Sequence, residues 1–256
     1  MTIRFDDRAG ESGRFLSRIH VGGGHPTDDY PYTLPVVEHL VASGGLPLPA
    51  GVTFFVGENG SGKSTLIEAI AVAAGMNAEG GSQNYRFATR RSESNLAEHL
   101  HLTWGPVKPR SRFFLRAESF YNLATASEEL GPTQLAAAFG GASPHERSHG
   151  ESFLDLMRSR FSPGGLYVMD EPEAALSPQA CLAVLALMAQ LVDSGTQLVI
   201  ATHSPLLLAL PGATIYEIDD EGAIEAVDYD DAMPVRLTRD FLAGPERYLR
   251  HILAPS

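Results

Sequence analysis

A chain of 256 residues with 44% hydrophobic and 20% charged side chains can bury a sizeable core, which excludes the disordered class. Its formal net charge of −12 speaks against a broadly basic nucleic-acid surface, because nonspecific binding needs Lys and Arg to neutralise phosphates. A single cysteine, Cys181, excludes an intrachain disulfide, and the acids in MTIRFDDRAG do not suit a secretory leader, so a cytoplasmic location is expected.

In chain order, FLSRIHV near Phe15 reads as a first strand, and the Gly- and Pro-rich GGGHPTDDYPYTLP as loop. VTFFVGE from Val52 is a buried strand, LIEAIAVAAG a helix, and GMNAEGGSQNYRF an exposed connection. Little periodicity follows until about Pro109. SRFFLRAE is a further strand, the Ala-rich stretch to Phe139 reads as helical, and GGASPHERSHGES as a small polar loop. GLYVMDEPE is a buried strand ending in acids. SPQACLAVLALMAQLVDSG is a helix capped by Ser177, with Pro178 in its first turn and Gly195 as its stop. TQLVIATHSP is another buried strand, so this strand, helix and strand imply parallel pairing through a right-handed crossover. TIYEIDDEGAIEAVDY reads as a hairpin, and RLTRDFLAGPERYLRHIL as one or two short amphipathic helices. The apolar run CLAVLALMAQLV is too short to span a bilayer, so no transmembrane segment is expected. Arg86, Arg90, Arg91, Lys108, Arg110, Arg112 and Arg116 crowd the middle third and read as an ordinary solvated surface.

The pattern G-x-x-x-x-G-K-[ST] is met by Gly57, Gly62, Lys63 and Ser64 within the run Gly57, Glu58, Asn59, Gly60, Ser61, Gly62, Lys63, Ser64, Thr65. Glycines there let successive backbone N–H groups turn inward as an anion nest, and the helix that follows adds the positive end of its dipole. Lys63 is expected to reach the β- and γ-phosphates of ATP, and Ser64 to join the shell of a Mg²⁺ ion. In an open α/β sheet, ligands collect beyond the carboxyl ends of strands, where Asp170, Glu171, His203 and Glu118 fall. Asp170 is placed to hold Mg²⁺ through water, Glu171 to take a proton from the attacking water, and His203 to orient that water from the γ-phosphate side.

GENGSGKST, SHGES, LYVMDEPEAALSP and IATHSP, in this order, resemble the Walker A, signature, Walker B with D-loop, and switch-histidine motifs of ABC-type ATPases. The resemblance spans most of the chain. It is nearest to the SMC- and RecF-like branch, within it to compact bacterial ATPases of the predicted AAA-family, ABC-like kind, with FFLRAESFYN and ATHSPLLLALPGA in keeping. It implies an α/β P-loop fold: a mostly parallel central sheet flanked by helices, with a smaller antiparallel part. A single domain over 1–256 with a helical or irregular insertion at about 76–150 is expected. It also implies that Ser148, Gly150 and Glu151 complete the ATP site of a second copy in a head-to-tail dimer; SFLDLMRSRF is expected to begin a helix just after Gly150.

Two departures stand out. The glutamine that usually follows the strand between Walker A and signature has Glu118 in its place, with Gln83 a weaker candidate, and the D-loop carries Ser177 in place of aspartate. The adenine-stacking residue is left to an early side chain near Phe5 or Phe15. The expected function is a soluble Mg·ATP hydrolase whose homodimer opens and closes on a protein partner. An ATP-binding transporter subunit and an ATP-gated DNA-maintenance or defence module are the alternatives, nucleic acid not being indicated by the net charge.

Overall fold

The computed structural model describes residues 13–78, 95–117 and 149–253. Phe5, Gln83, Glu118, Ser148 and the Ala-rich stretch to Phe139 lie outside them. The described strands are β1 (Leu16–Val21), β2 (Leu46–Pro47), β3 (Val52–Gly57), β4 (Leu100–Trp104), β5 (Arg112–Arg116), β6 (Leu166–Asp170), β7 (Gln197–Ala201), β8 (Thr214–Ile218) and β9 (Ile224–Val227). The helices are α1 (Pro35–Ala42), α2 (Lys63–Ala73), α3 (Leu96–His99), α4 (His149–Arg160), α5 (Pro178–Asp193), α6 (Pro205–Leu208), α7 (Met233–Ala243) and α8 (Pro245–Ile252), with a 3-10 turn at Pro172–Ala175.

The central sheet has the order β5-β6-β7-β3-β8-β9; every pair is parallel except β8 with β9. All residues of β3, β6 and β7 are buried, as expected of parallel strands covered on both faces. Their side chains divide by pleat. Val52, Phe54, Val56, Tyr167, Met169, Leu198 and Ile200 join one core with α4 and α5, while Phe55, Leu166, Val168, Val199 and Ala201 join a second core with α1 and α2. Hence α2, leaving β3, and α5, leading into β7, lie on opposite faces, and the crevice between them opens at the carboxyl ends of β3 and β7.

The smaller sheet, β2-β1-β4, is antiparallel. The fully buried Gln197 clamps it to the larger one: its Oε1 accepts from the backbone N–H groups of Phe15 and Leu16, both at 2.8 Å, and its Nε2 donates to the carbonyls of Leu16 at 2.8 Å and Pro49 at 3.0 Å. Within the stretch expected as an insertion, β4 completes the small sheet and β5 forms an edge of the large one. Two further differences from expectation are α1, which directly follows the loop GGGHPTDDYPYTLP, and β4, in the stretch of low periodicity before Pro109. Among the described residues no helix is long and apolar enough to cross a membrane.

Candidate nucleotide site

The loop after β3 is shaped by glycines that no other residue replaces cheaply. Gly62 takes φ 88°, and a Cβ on it would fall 2.5 Å from Val36; a Cβ on Gly57 would fall 2.5 Å from the Ile218 carbonyl. The turn delivers Lys63 as the first residue of α2, buried, with its Nζ donating to the carbonyls of Gly57 at 2.9 Å and Glu58 at 2.8 Å. Burial draws the Lys63 ammonium below its ordinary pKa, and Glu171, Asp170, Glu58 and Glu173 pull it back up. Ser61 Oγ is buried in the same loop and, among the described residues, has no hydrogen-bond partner, so it suits a phosphate oxygen.

Ser64 Oγ donates to Asp170 Oδ1 at 3.1 Å, joining the phosphate loop to the end of β6 across 106 residues of sequence. A hydroxyl beside a buried carboxylate is a hard oxygen donor set, and these two residues fit Mg²⁺. Arg116, at the end of β5, lies against the other oxygen, with Nε 3.2 Å from Asp170 Oδ2, and its Nη1 donates to Glu68 Oε2 on α2 at 2.9 Å. One member of the basic run, Arg116, thus departs from the reading of a plain solvated surface, while Arg112 stays exposed. Arg116 ties β5, β6 and α2 together, and Arg112 donates to the Ala74 carbonyl at 2.6 Å and lies over Trp104.

Glu171 has φ 48° and ψ 52°, and among the described residues no other non-glycine takes a positive φ. A left-handed conformation costs a residue with a Cβ about 1–2 kcal/mol, and such strain gathers at functional sites. Its N–H donates to the Ala201 carbonyl at 3.0 Å, and its Oε1 stands 3.7 Å from His203 Nε2. That ring nitrogen is buried and, among the described residues, has no hydrogen-bond partner. Burial, then Lys63, lower the His203 pKa below its ordinary value, with Glu171 and Glu58 opposing, so the neutral ring is favoured near pH 7.

Two residues here escaped the motif reading. Glu173 accepts the backbone N–H of His203 at 2.5 Å and so fixes the chain just after β7. Tyr30, largely exposed, has its hydroxyl 3.1 Å from Thr65 Oγ1 and lies at the mouth of the loop. Phe15, the early aromatic suggested for adenine, is instead buried, and its backbone N–H is held by Gln197 at the opposite end of β7 from His203.

Burial raises the Glu173 pKa, as does Glu171, against hydrogen bonds from the His203 backbone and Thr202. A carboxyl whose folded pKa is raised contributes stability at low pH that is lost as pH rises through that value. Glu173→Gln keeps an acceptor for His203 and removes the buried charge. Its thermal midpoint is therefore expected above wild type at pH 8, the gap closing as pH falls below the ordinary carboxylate range; melting curves across pH check this.

Of the signature residues, Gly150 and Glu151 lie on α4. Helix α4 begins at His149, so Gly150 lies inside its first turn rather than before the helix. A Cβ on Gly150 would meet Ala180 at 3.0 Å and Leu176 at 3.9 Å, and the exposed Glu151 follows in the same turn. Ser177, in the D-loop position, accepts the Ala180 N–H at 3.2 Å as the cap of α5.

A glycine-built phosphate loop facing strand-end acids and a histidine, on a mostly parallel sheet, defines an ABC-type P-loop ATPase fold. Comparison agrees. An "AAA domain" family model matches residues 45–119, and one described as "AAA domain, putative AbiEii toxin, Type IV TA system" matches residues 152–209. The chain is 25% identical over 201 residues to the macrolide export ATP-binding/permease protein MacB of Hahella chejuensis (strain KCTC 2396). That match takes in 67% of this chain and 28% of MacB, so the chain spans about a quarter of that relative's length. Among solved structures, the SMC head domain from Thermotoga maritima aligns with a TM-score of 0.45 at 18% identity, covering 84% of this chain and 99% of that one. The chain thus has the fold of ABC-type P-loop ATPases, and two AAA-domain models each match a part of it.

Proposed function

We propose that the chain hydrolyses ATP to ADP and phosphate at this site, as one cytoplasmic ATPase domain. The observation that carries the reading is the Ser64 to Asp170 hydrogen bond, which joins the phosphate loop to the acid that would hold the metal. Gly57, Glu58, Asn59, Gly60, Ser61, Gly62 and Thr65 wrap the phosphates with backbone N–H groups, and Lys63 turns from the Gly57 and Glu58 carbonyls to the β- and γ-phosphates. Ser64 and Asp170, with Glu118, would hold the metal; Mg²⁺, when bound, would neutralise charge on the phosphate oxygens. Glu171 takes the proton of the attacking water, and His203, whose Nε2 has no hydrogen-bond partner among the described residues, orients that water.

The resemblance of SHGES to a signature motif supports a second assignment. Ser148, Gly150 and Glu151 serve the nucleotide held by a second copy, so two chains pair head to tail around two ATP molecules. ATP stabilises the closed pair and hydrolysis releases it, a cycle that acts on a protein partner. Mixing tests this arrangement. Lys63→Ala and Ser148→Arg are each expected to be inactive alone. Their mixture is expected to regain part of the activity, since mixed pairs contain one site with both an intact loop and an intact signature. A mixture as inactive as its components counts against the head-to-tail pair.

A further inference from the structure

Six of the thirteen large hydrophobic side chains exposed among the described residues lie on α7, on α8 or at the C-cap of α8: Leu237, Phe241, Leu242, Leu249, Ile252 and Leu253. Helix α8 buries none of its residues, and Leu242, Ile252 and Leu253 are each about 70% exposed. Its apolar residues recur at Pro245, Tyr248, Leu249 and Ile252 and continue to Leu253, a continuous stripe at helical spacing. Phe241 of α7 packs edge-on against Tyr248 at 5.7 Å, so the two helices present one apolar face.

The charges beside the stripe indicate what covers it. Glu246 and Arg250, four residues apart, share one edge of α8; Arg247 and His251 share the other. Arg250 donates only to the Glu246 carbonyl, at 3.3 Å, and neither the Glu246 nor the Arg250 side chain forms an ion pair within the described residues. When two such helices cross antiparallel near Tyr248 and Leu249, like edges meet. Glu246 of each then faces Arg250 of the other, twice by symmetry, while the stripes bury each other.

We propose that α8 is a self-association surface, through which two copies of the chain pair about a twofold axis without nucleotide. This contact is distinct from the ATP-mediated pair, and it stands whether or not that pair forms. It also reaches the nucleotide site. Helix α7 buries Val235 in the core that includes Leu207 and Leu208 of α6, and the Tyr229 hydroxyl donates to the Pro205 carbonyl at 3.3 Å. Helix α6 starts two residues after His203. Pairing therefore bears on the segment that carries the switch histidine.

Analytical ultracentrifugation of the full chain without nucleotide, across the micromolar range, tests this. Wild type is expected to pass from monomer to dimer with concentration, and Leu249→Asp to weaken the dimer about tenfold or more. Because Leu249 is exposed in the single chain, the variant should melt as wild type does at concentrations where both are monomeric. Glu246→Arg and Arg250→Glu are each expected to weaken pairing, and the double exchange to regain it, which a merely structural role would not produce. Monomeric wild type overturns the proposal, as does a dimer indifferent to Leu249→Asp or a double exchange no better than its parents. A monomer that floats with anionic lipid vesicles assigns the stripe to a membrane surface and overturns it as well.

Discussion

Replacing Glu171 by Gln is expected to slow ATP hydrolysis by about 10²–10⁴-fold, the usual contribution of a positioned general base, while ATP still binds. The separation follows from geometry. Glu171 approaches His203 Nε2 at 3.7 Å, whereas the phosphate contacts come from the loop after β3 and the metal contacts from Ser64 and Asp170. Gln has the size of Glu and meets the same strain at φ 48°, so the backbone that holds residue 171 against Ala201 is unchanged. Fluorescent-nucleotide titration measures binding and phosphate release measures turnover. Loss of both would make Glu171 a binding residue, and loss of neither would move the base elsewhere.

The second large effect is on stability. Arg116→Met leaves the carboxylates of Asp170 and Glu68 without the guanidinium that lies within 3.2 Å of one and 2.9 Å of the other. Breaking a buried pair costs about 3–5 kcal/mol, and partial exposure of the Arg116 side chain, 23%, lowers the expectation to roughly 2–3 kcal/mol. At this chain length that is a fall of about 4–12 °C in the thermal midpoint of the nucleotide-free protein. Added Mg²⁺ is expected to recover part of the loss, since a cation beside Asp170 supplies the missing positive charge. Arg116→Lys tests the geometry: one ammonium cannot serve both carboxylates through separate nitrogens, so it should fall between wild type and Met.

Much of the site could be read from the sequence because its pieces are local. A phosphate loop needs its glycines, Lys63 and Ser64 at fixed spacing, and β3, β6 and β7 are continuous apolar runs that end at chemistry-bearing residues. Helix α5 was equally plain, with its cap, first-turn proline and apolar run. What stayed hidden depends on distant partners. Arg116 meets Glu68 and Asp170 from 48 and 54 residues away, and Gln197 joins the two sheets across about 180 residues, so neither has a local signature. Helix α1 is only eight residues long and follows a Gly- and Pro-rich run; β4 alternates weakly and pairs with a strand some eighty residues earlier. Glu173 sits inside DEPE, where the acids before it take the attention, and only the fold reveals its bond to the His203 backbone.

The most direct test of the central claim is phosphate release from Mg·ATP by the wild-type chain, with Glu171→Gln alongside and nucleotide binding measured on both. Both proteins are expected to bind ATP, and only wild type to release phosphate at a steady rate. A wild type that binds ATP yet releases none, or a variant that keeps pace with it, would contradict the assignment of this site as a hydrolase.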